Sequence, residues 1–518
     1  MSAIPPQRVR IRGIAAAALA VAGLSTSAFA SDKATPAVGK DTLIVALDKE
    51  IQSLDAQITA SGDSQRYAMQ IYDTLYGFDP KGNIVPRMAD AFKISPDGLV
   101  YTFQLRNGVK FHNGDLFTAD DVKYSIERII DPASKSTRRP YFAPVIALIE
   151  TPSPNSVVIR LKQADGAFMN KIAGFLFIVG RKYATGLGSP EAFAAAPVGT
   201  GPFKVKENKI GQFLELERFE DFYGEKPGIK TLVFKYLPEP SSRVNAILAG
   251  EIDIATMVPL PDVERLRKDA ALTIIINPVA SPMHVRLYSN VPNSPLANLD
   301  VRMALNYAVD KNAIIKGVFH GVGAPMGTFI SKYFPYGSSS DIAPYPYDPT
   351  KARALLKKAG FPNGFDIKLN DAAGTPKEFA EAVAAYLGQV GVRVKINRID
   401  YAAWSRLNNT HKSGPMTTTQ FTNAIYDPIH PINGSFSKAG TWSDYYNPAV
   451  EKLITELDST TGAEARGKVF QQIGRMLHDD ASALLVTELF NVFAKKKDIV
   501  WEVQQGSGFL NFRKVSWQ

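Results

Sequence analysis

From residue 41 onward the chain alternates short apolar runs of strand period with longer runs of helical period. Thr42 to Leu47 reads as a first strand. Tyr101, Phe103 and Leu105 alternate with polar residues, Asn107-Gly108 follows, and then come Val109 and Phe111. Asn-Gly accommodates the positive φ angles of a type I′ turn, so this pattern predicts a β-hairpin. Thr118 and Asp121 have the spacing of a capping box ahead of Val122, Ile126, Ile129 and Ile130, which predicts a helix. The result is a mixed β/α segment over residues 76–185.

Further along, the pattern changes to strand–helix–strand. Asp348-Pro349 supplies a side-chain cap and a first-turn proline ahead of Ala352, Leu355, Leu356 and Ala359. Lys357 and Lys358 fill the last turn, and Gly360 and Pro362 stop the helix. A strand at Phe365 to Leu369, an amphipathic helix at Glu378 to Gln389 and a strand at Val392 to Ile396 form a βαβ unit. Such a unit implies parallel pairing with a right-handed crossover. A similar unit runs from Thr231–Tyr236 through a helix near Ser242–Ala249 to Ile252–Ala255. Two α/β bodies in one chain predict a cleft between them, the usual place for a small-molecule site.

The N-terminus changes the picture by suggesting a compartment. Arg8, Arg10 and Arg12 precede an apolar stretch from Gly13 to Leu24, and Ser27-Ala28-Phe29-Ala30 offers small residues at −3 and −1. This predicts a signal peptide over residues 1–30, cleaved after Ala30, with a flexible leader over 31–40. The run is shorter than a membrane span needs, and Arg-x-Arg-x-Arg lacks the adjacent pair of a twin-arginine signal. The chain has no cysteine. That excludes disulfides, thiolate metal sites, cysteine nucleophiles and anchoring through a lipidated N-terminal cysteine. The expected location is therefore the periplasm, with the mature chain soluble there. The formal charge of +9 includes the three leader arginines, and basic residues are interspersed with acids. Lys495-Lys496-Lys497, the one run of three, reads as a solvated turn, and no nucleic-acid partner is expected.

A search for reactive chemistry yields little. No two of His112, His284, His320, His411, His430 and His478 sit four apart as a helical zinc motif requires. No nucleophile elbow, P-loop or dinucleotide fingerprint is present. Neither an enzyme nor a bound cofactor is expected; binding fits better.

Ser53-Leu54-Asp55, Tyr72 to Phe78, Pro86 to Ala89, Ser95 to Gly98, Leu105 to Gly114, Thr118 to Val122, Pro197 to Phe203, Asp300 to Leu305 and Asp348 to Phe361 occur in an order that resembles a known family. It is the family of extracellular solute-binding proteins of the dipeptide, oligopeptide and nickel ABC importers (family 5). The resemblance spans nearly all of the chain after the leader. It implies an α/β fold of the type II periplasmic binding protein kind: two α/β lobes, an extra mixed β/α domain, and a ligand cleft between the lobes. Domain I would comprise 41–75, 186–280 and 490–518, domain II 76–185, and domain III 281–489. Crossings near Ala280–Arg286 and Leu489–Lys495 would act as the hinge. The implied function is capture of a peptide or peptide-like solute by hinge closure, with delivery to the importer's permease subunits by a monomeric receptor. A metal chelate, haem-like cofactor, sugar or opine-like compound is the alternative ligand. A periplasmic chaperone or hydrolase on the same fold is the alternative class.

The resemblance also supplies candidate ligand contacts. In peptide-binding members an aromatic residue is followed three positions on by an aspartate, which pairs with the ligand's α-amino group, and four further on by a proline. Here Phe421 and Pro428 match, but Ala424 stands at the aspartate position. Asn423 and Asp427 lie nearby, and only Asp427 carries charge. Loss of such a charge-assisted bond removes ~1.5–3 kcal/mol of preference for ammonium ligands. The run Thr59-Ala60-Ser61-Gly62-Asp63 is expected to face the cleft from domain I. Trp404 and Trp442 offer flat apolar walls, and Tyr426 and the run His320 to Pro325 complete the candidates.

Overall fold

The computed structural model describes residues 41–58, 62–420, 423–440 and 442–518, with the side chains of residues 62–64 also outside the description. The expected signal peptide and leader therefore lie outside the described residues. Among those described, no helix is long and apolar enough to cross a membrane.

The backbone of the fold is a ten-stranded mixed sheet. From one edge it runs Val392–Ile399, Phe365–Ala372, Met416–Thr419, Leu272–Leu287 and Ala483–Lys496. It continues through Ile254–Ala255, Thr42–Leu47, Thr231–Tyr236, Phe213–Arg218 and Phe203–Lys209. Leu272–Leu287 and Ala483–Lys496 are long enough to serve both halves. The N-terminal half of the first pairs with the C-terminal half of the second beside Ile254–Ala255, and their other halves pair beside Met416–Thr419.

Between the halves the ladder breaks. Pro278 stands opposite Phe490 and Pro282 opposite Glu488, so Val279, Ala280 and Ser281 face only Leu489. Proline has no N–H to give a ladder, so a proline at each end of this stretch interrupts the pairing and favours a bulge. Ala280 takes a left-handed φ of 49°, although it is buried.

Both βαβ units form. Phe365–Ala372 and Val392–Ile399 pair in parallel around the helix Lys377–Gln389. Thr231–Tyr236 and Ile254–Ala255 flank the helix Pro240–Leu248, with Thr42–Leu47 inserted between them in parallel with both. The helix Pro349–Lys358 is capped by Asp348, whose carboxylate accepts from the Lys351 N–H at 2.8 Å, and Gly360 follows at φ 90°.

Residues 76–185 contain a separate four-stranded antiparallel sheet, Ala89–Ile94, Val100–Leu105, Ser156–Leu161 and Ile146–Ser153 in that order. It packs its apolar face, including Phe103 and Ile159, on Ile126 and Phe168. The capping box forms at the helix Ala119–Ile130, where the Thr118 N–H donates to Asp121 at 2.9 Å.

Two local expectations need correction. Val100–Leu105 does not pair with Val109 and Phe111 across Asn107-Gly108; its partners are Ala89–Ile94 and Ser156–Leu161. Gly108 has a positive φ of 73° but Asn107 does not, so the type I′ turn is not made, and Val109 and Phe111 turn into the core. Lys495 and Lys496 end a strand rather than a solvated turn. The Lys495 ammonium is buried and donates to the Ile499 carbonyl at 2.7 Å, while Lys496 pairs with Asp253 at 2.7 Å.

Candidate functional site

Strand direction locates the cleft. As Ile254–Ala255 advances, its partners step from Lys495 to Ala494, toward the bulge. Thr42–Leu47 and Thr231–Tyr236 run parallel to it. On the other half, Met416–Thr419 advances from a partner at Leu287 to one at His284, again toward the bulge. Phe365–Ala372 and Val392–Ile399 run with it. The carboxyl ends of both sets of parallel strands therefore converge on residues 279–281 from opposite sides. In open α/β sheets ligands bind outside the carboxyl ends of the strands.

A dense polar network occupies the ends on the second half. Asp371 is buried and accepts from the Thr375 hydroxyl at 2.8 Å and the Thr418 hydroxyl at 2.7 Å, and it pairs with Arg398. Trp404 sits in the helix Tyr401–Asn409, started by Asp400, which accepts from the Ala403 N–H at 2.8 Å. Its indole N–H donates to Thr417 at 2.9 Å and its ring stacks on Tyr401 at 5.6 Å. Trp404 is thus fixed on both edge and face, and it is buried. Arg286 donates to the Trp442 carbonyl at 2.7 Å and to the Thr419 hydroxyl at 3.3 Å. The Trp442 indole donates to Asn409 at 2.9 Å.

The segment after that strand carries most of the candidate residues. Asn423 closes a turn on itself: its Oδ1 accepts from the Ile425 N–H at 3.0 Å and its Nδ2 donates to the Asp427 carbonyl at 2.7 Å. Ala424 is buried in the apolar cluster of residues 76–185. Its carbonyl lies so close to Gly174 that a Cβ added there would come within 2.4 Å. Tyr426 has a left-handed φ of 51°, packs its ring on Phe78 at 4.7 Å, and places its hydroxyl 2.6 Å from the Gln505 carbonyl and 2.7 Å from Ser507. Asp427 is fully buried. Its carboxylate pairs with Arg466 Nε at 2.8 Å and accepts from the Tyr336 hydroxyl at 2.7 Å and the Ile429 N–H at 2.8 Å. Burial, reinforced by the Asp427 charge, raises the Tyr336 hydroxyl pKa well above its ordinary value. Both Asp427 oxygens have internal partners, so its charge is committed to the fold.

Of the remaining candidates, Ser61 and Phe421 lie outside the described residues. Gly62 and Asp63 begin the helix Gly62–Ile71, which follows the loop after the first strand. His320 and Gly323 line a different groove of 590 Å³ with Arg267, Lys316, Ile276 and Phe490.

Beside the Ala424 segment lies a cavity of 380 Å³. One wall carries Tyr141, Asp165 and Lys171 from residues 76–185; the other carries Ile425, His430, Trp442, Asp458 and Arg466. Lys171 pairs with Asp165 at 2.5 Å. Burial and the Asp165 charge both push the Asp458 carboxyl pKa up. His430 faces Tyr141 at 5.7 Å and is pushed down to about 4, first by burial and then by Lys171, so it is neutral at pH 7. The cavity therefore presents two acids, two bases, a neutral imidazole and aromatic surface, a lining that suits a ligand bearing charges of both signs. Trp442 and Ile425 connect it to the expected site. Lys171, Asp165, Asp458 and Arg466 carry no sequence motif and meet only through the fold.

A two-halved sheet that crosses over twice, with strand ends converging on the crossing, defines a type II periplasmic binding protein. The chain belongs to the bacterial extracellular solute-binding proteins, family 5, whose description ("family 5 Middle") matches residues 83–443. It is 29% identical to heme-binding protein A of Haemophilus influenzae, over 97% of this chain and 98% of that protein. It is 28% identical to the dipeptide-binding protein of Escherichia coli, over 92% of this chain and 94% of that protein. The solved structure of HbpA2 from Haemophilus parasuis superposes with a TM-score of 0.84 at 27% identity, covering 92% of this chain and all of that one. The chain is thus a substrate-binding component of an ABC importer.

Proposed function

We propose that this protein captures a peptide-like zwitterion in the periplasm and presents it to the permease by closing about the crossing at residues 279–281 and 489. The carrying observation is the 380 Å³ cavity, whose acid and base side chains stand beside the segment where Ala424 replaces the usual aspartate. With Asp427 committed to Arg466, Asp458 is the carboxylate for a ligand ammonium, and the Lys171–Asp165 pair exchanges partners so that Lys171 meets a ligand carboxylate. Domain I would take 41–75, 186–280 and 490–518, domain II 76–185, and domain III 281–489. The separate sheet within 76–185 and the bulge at residues 279–281 in the long strands support this division. Closure follows population-shift logic: a ligand touching both halves favours the conformation in which both touch it. No covalent step is involved.

Isothermal titration with glutathione, a free dipeptide, its N-acetyl form and its C-terminal amide tests this reading. Tight binding of the free forms, weakened by capping either end, is expected. Equal binding of capped and free forms would exclude zwitterion recognition, and appearance of cleavage products would exclude a pure receptor. The name of the Haemophilus influenzae relative and the neutral imidazole of His430 beside an aromatic ring favour one second reading, an iron porphyrin as cargo. A Soret shift on adding hemin, abolished by His430→Ala, would support it.

A further inference from the structure

Glu488 is a buried acid at the mechanical centre of the sheet. It lies on Ala483–Lys496, one residue before Leu489, and faces Pro282 at the end of the bulge. It is 6% exposed, and its Oε1 has no hydrogen-bond partner among the described residues. The donor acting on its carboxyl is the Ser331 hydroxyl, and the nearby cation is Lys332 on the same segment. Across the ladder Pro282 has neither charge nor N–H. The next ionisable residue on that strand, His284, is pushed down to about 3 by burial and the Arg286 charge, and so is neutral. A carboxylate with so few donors is expensive to bury, whereas a neutral carboxylic acid is much less so. Burial accordingly raises the Glu488 pKa to about 7.

We propose that Glu488 is a proton-linked latch on the crossing. Protonated, it holds the arrangement described here. Ionised, it favours an arrangement in which the bulge shifts and the carboxylate reaches water. The inter-lobe angle, and with it solute capture, then responds to pH around neutrality. The bulge is suited to this role, because residues 279–281 are not held by a regular ladder and Ala280 already occupies a sparsely populated backbone region. The inference rests on the reading of the chain as a two-lobed receptor.

The absence of cysteine allows a direct test. Ile210, at the turn beside one edge strand, and Lys395, on the opposite edge strand, are both exposed. Ile210→Cys and Lys395→Cys, spin-labelled together, report the distance across the whole sheet by pulsed electron resonance. The expected result is a distribution that changes between pH 5.5 and 8.5 with a midpoint near 7. In Glu488→Gln, which keeps the shape and removes the charge, the pH 5.5 distribution should persist throughout. Ser331→Ala removes the donor to the carboxylate and should move the midpoint upward. A distribution insensitive to pH, or one that shifts identically in Glu488→Gln, overturns the latch, as does an unmoved midpoint in Ser331→Ala. A wild-type distance that responds to added glutathione but not to pH overturns the latch alone. One that responds to neither overturns the peptide-like-solute reading with it.

Discussion

Removing the Asp427 carboxylate should destabilise the fold far more than it weakens ligand binding. Asp427→Ala leaves the Arg466 guanidinium, 2% exposed, without its counter-charge and deprives the Tyr336 hydroxyl of its acceptor. Breaking a buried ion pair by deleting one partner costs ~3–5 kcal/mol, because the remaining charge stays buried and uncompensated. Against a typical total stability of ~5–15 kcal/mol, that is a large share. Urea unfolding followed by circular dichroism would show a lowered midpoint with little change in slope. A double-mutant cycle with Arg466→Met should give a coupling energy of ~2 kcal/mol or more, within the range for residues in one network. It would not restore full stability, since Arg466 also donates to the Leu457 and Thr460 carbonyls at 2.7 and 2.8 Å. If Asp427→Ala unfolds within about 1 kcal/mol of wild type yet loses ligand, the structural assignment is wrong and Asp427 is a recognition group.

Other expectations follow from single contacts. Gly174→Ala must displace the Ala424 carbonyl, so it should cost ~1–3 kcal/mol by overpacking and weaken solute binding in the same titration. Lys171→Met should lower affinity for a free-carboxylate peptide by about ten- to a hundredfold while sparing its amide, the equivalent of ~1.5–3 kcal/mol for a charge-assisted bond. For Glu488, the native acid holds its proton to about pH 7, whereas the unfolded chain releases it near 4.3. Its stabilising contribution is therefore complete below the unfolded value and is lost as pH rises to the folded one. The fall is bounded at about 4 kcal/mol, and thermal melts of Glu488→Gln should lack it.

Where the determinants were local, the sequence was readable. Asp348, Pro349 and Gly360 set the helix Pro349–Lys358 through caps within a few residues, and the spacing of Phe365 to Ile396 gave the βαβ unit. The hairpin at Asn107-Gly108 failed because Val100–Leu105 pairs back across the turn at residues 95–99 with Ala89–Ile94 and, on its other side, with the distant Ser156–Leu161. Lys495 read as solvated because a charge run says nothing about a carbonyl such as that of Ile499 coming to meet it. The site was less legible than the fold. The family pattern led to Ala424 and its neighbours. It could not show that Arg466, 39 positions away, claims Asp427. Nor could it show that Lys171, Asp165 and Asp458 meet around one cavity, since Asp458 lies nearly 300 positions from the other two and only the fold brings them together.

If the cleft takes a small zwitterion, native mass spectrometry of the protein purified from its native host should detect that zwitterion bound. The expected spectrum carries a retained adduct whose fragmentation shows a free amine and a free carboxylate, lost on mild denaturation. A retained porphyrin, or an adduct lacking either charged end, would rule out zwitterion capture.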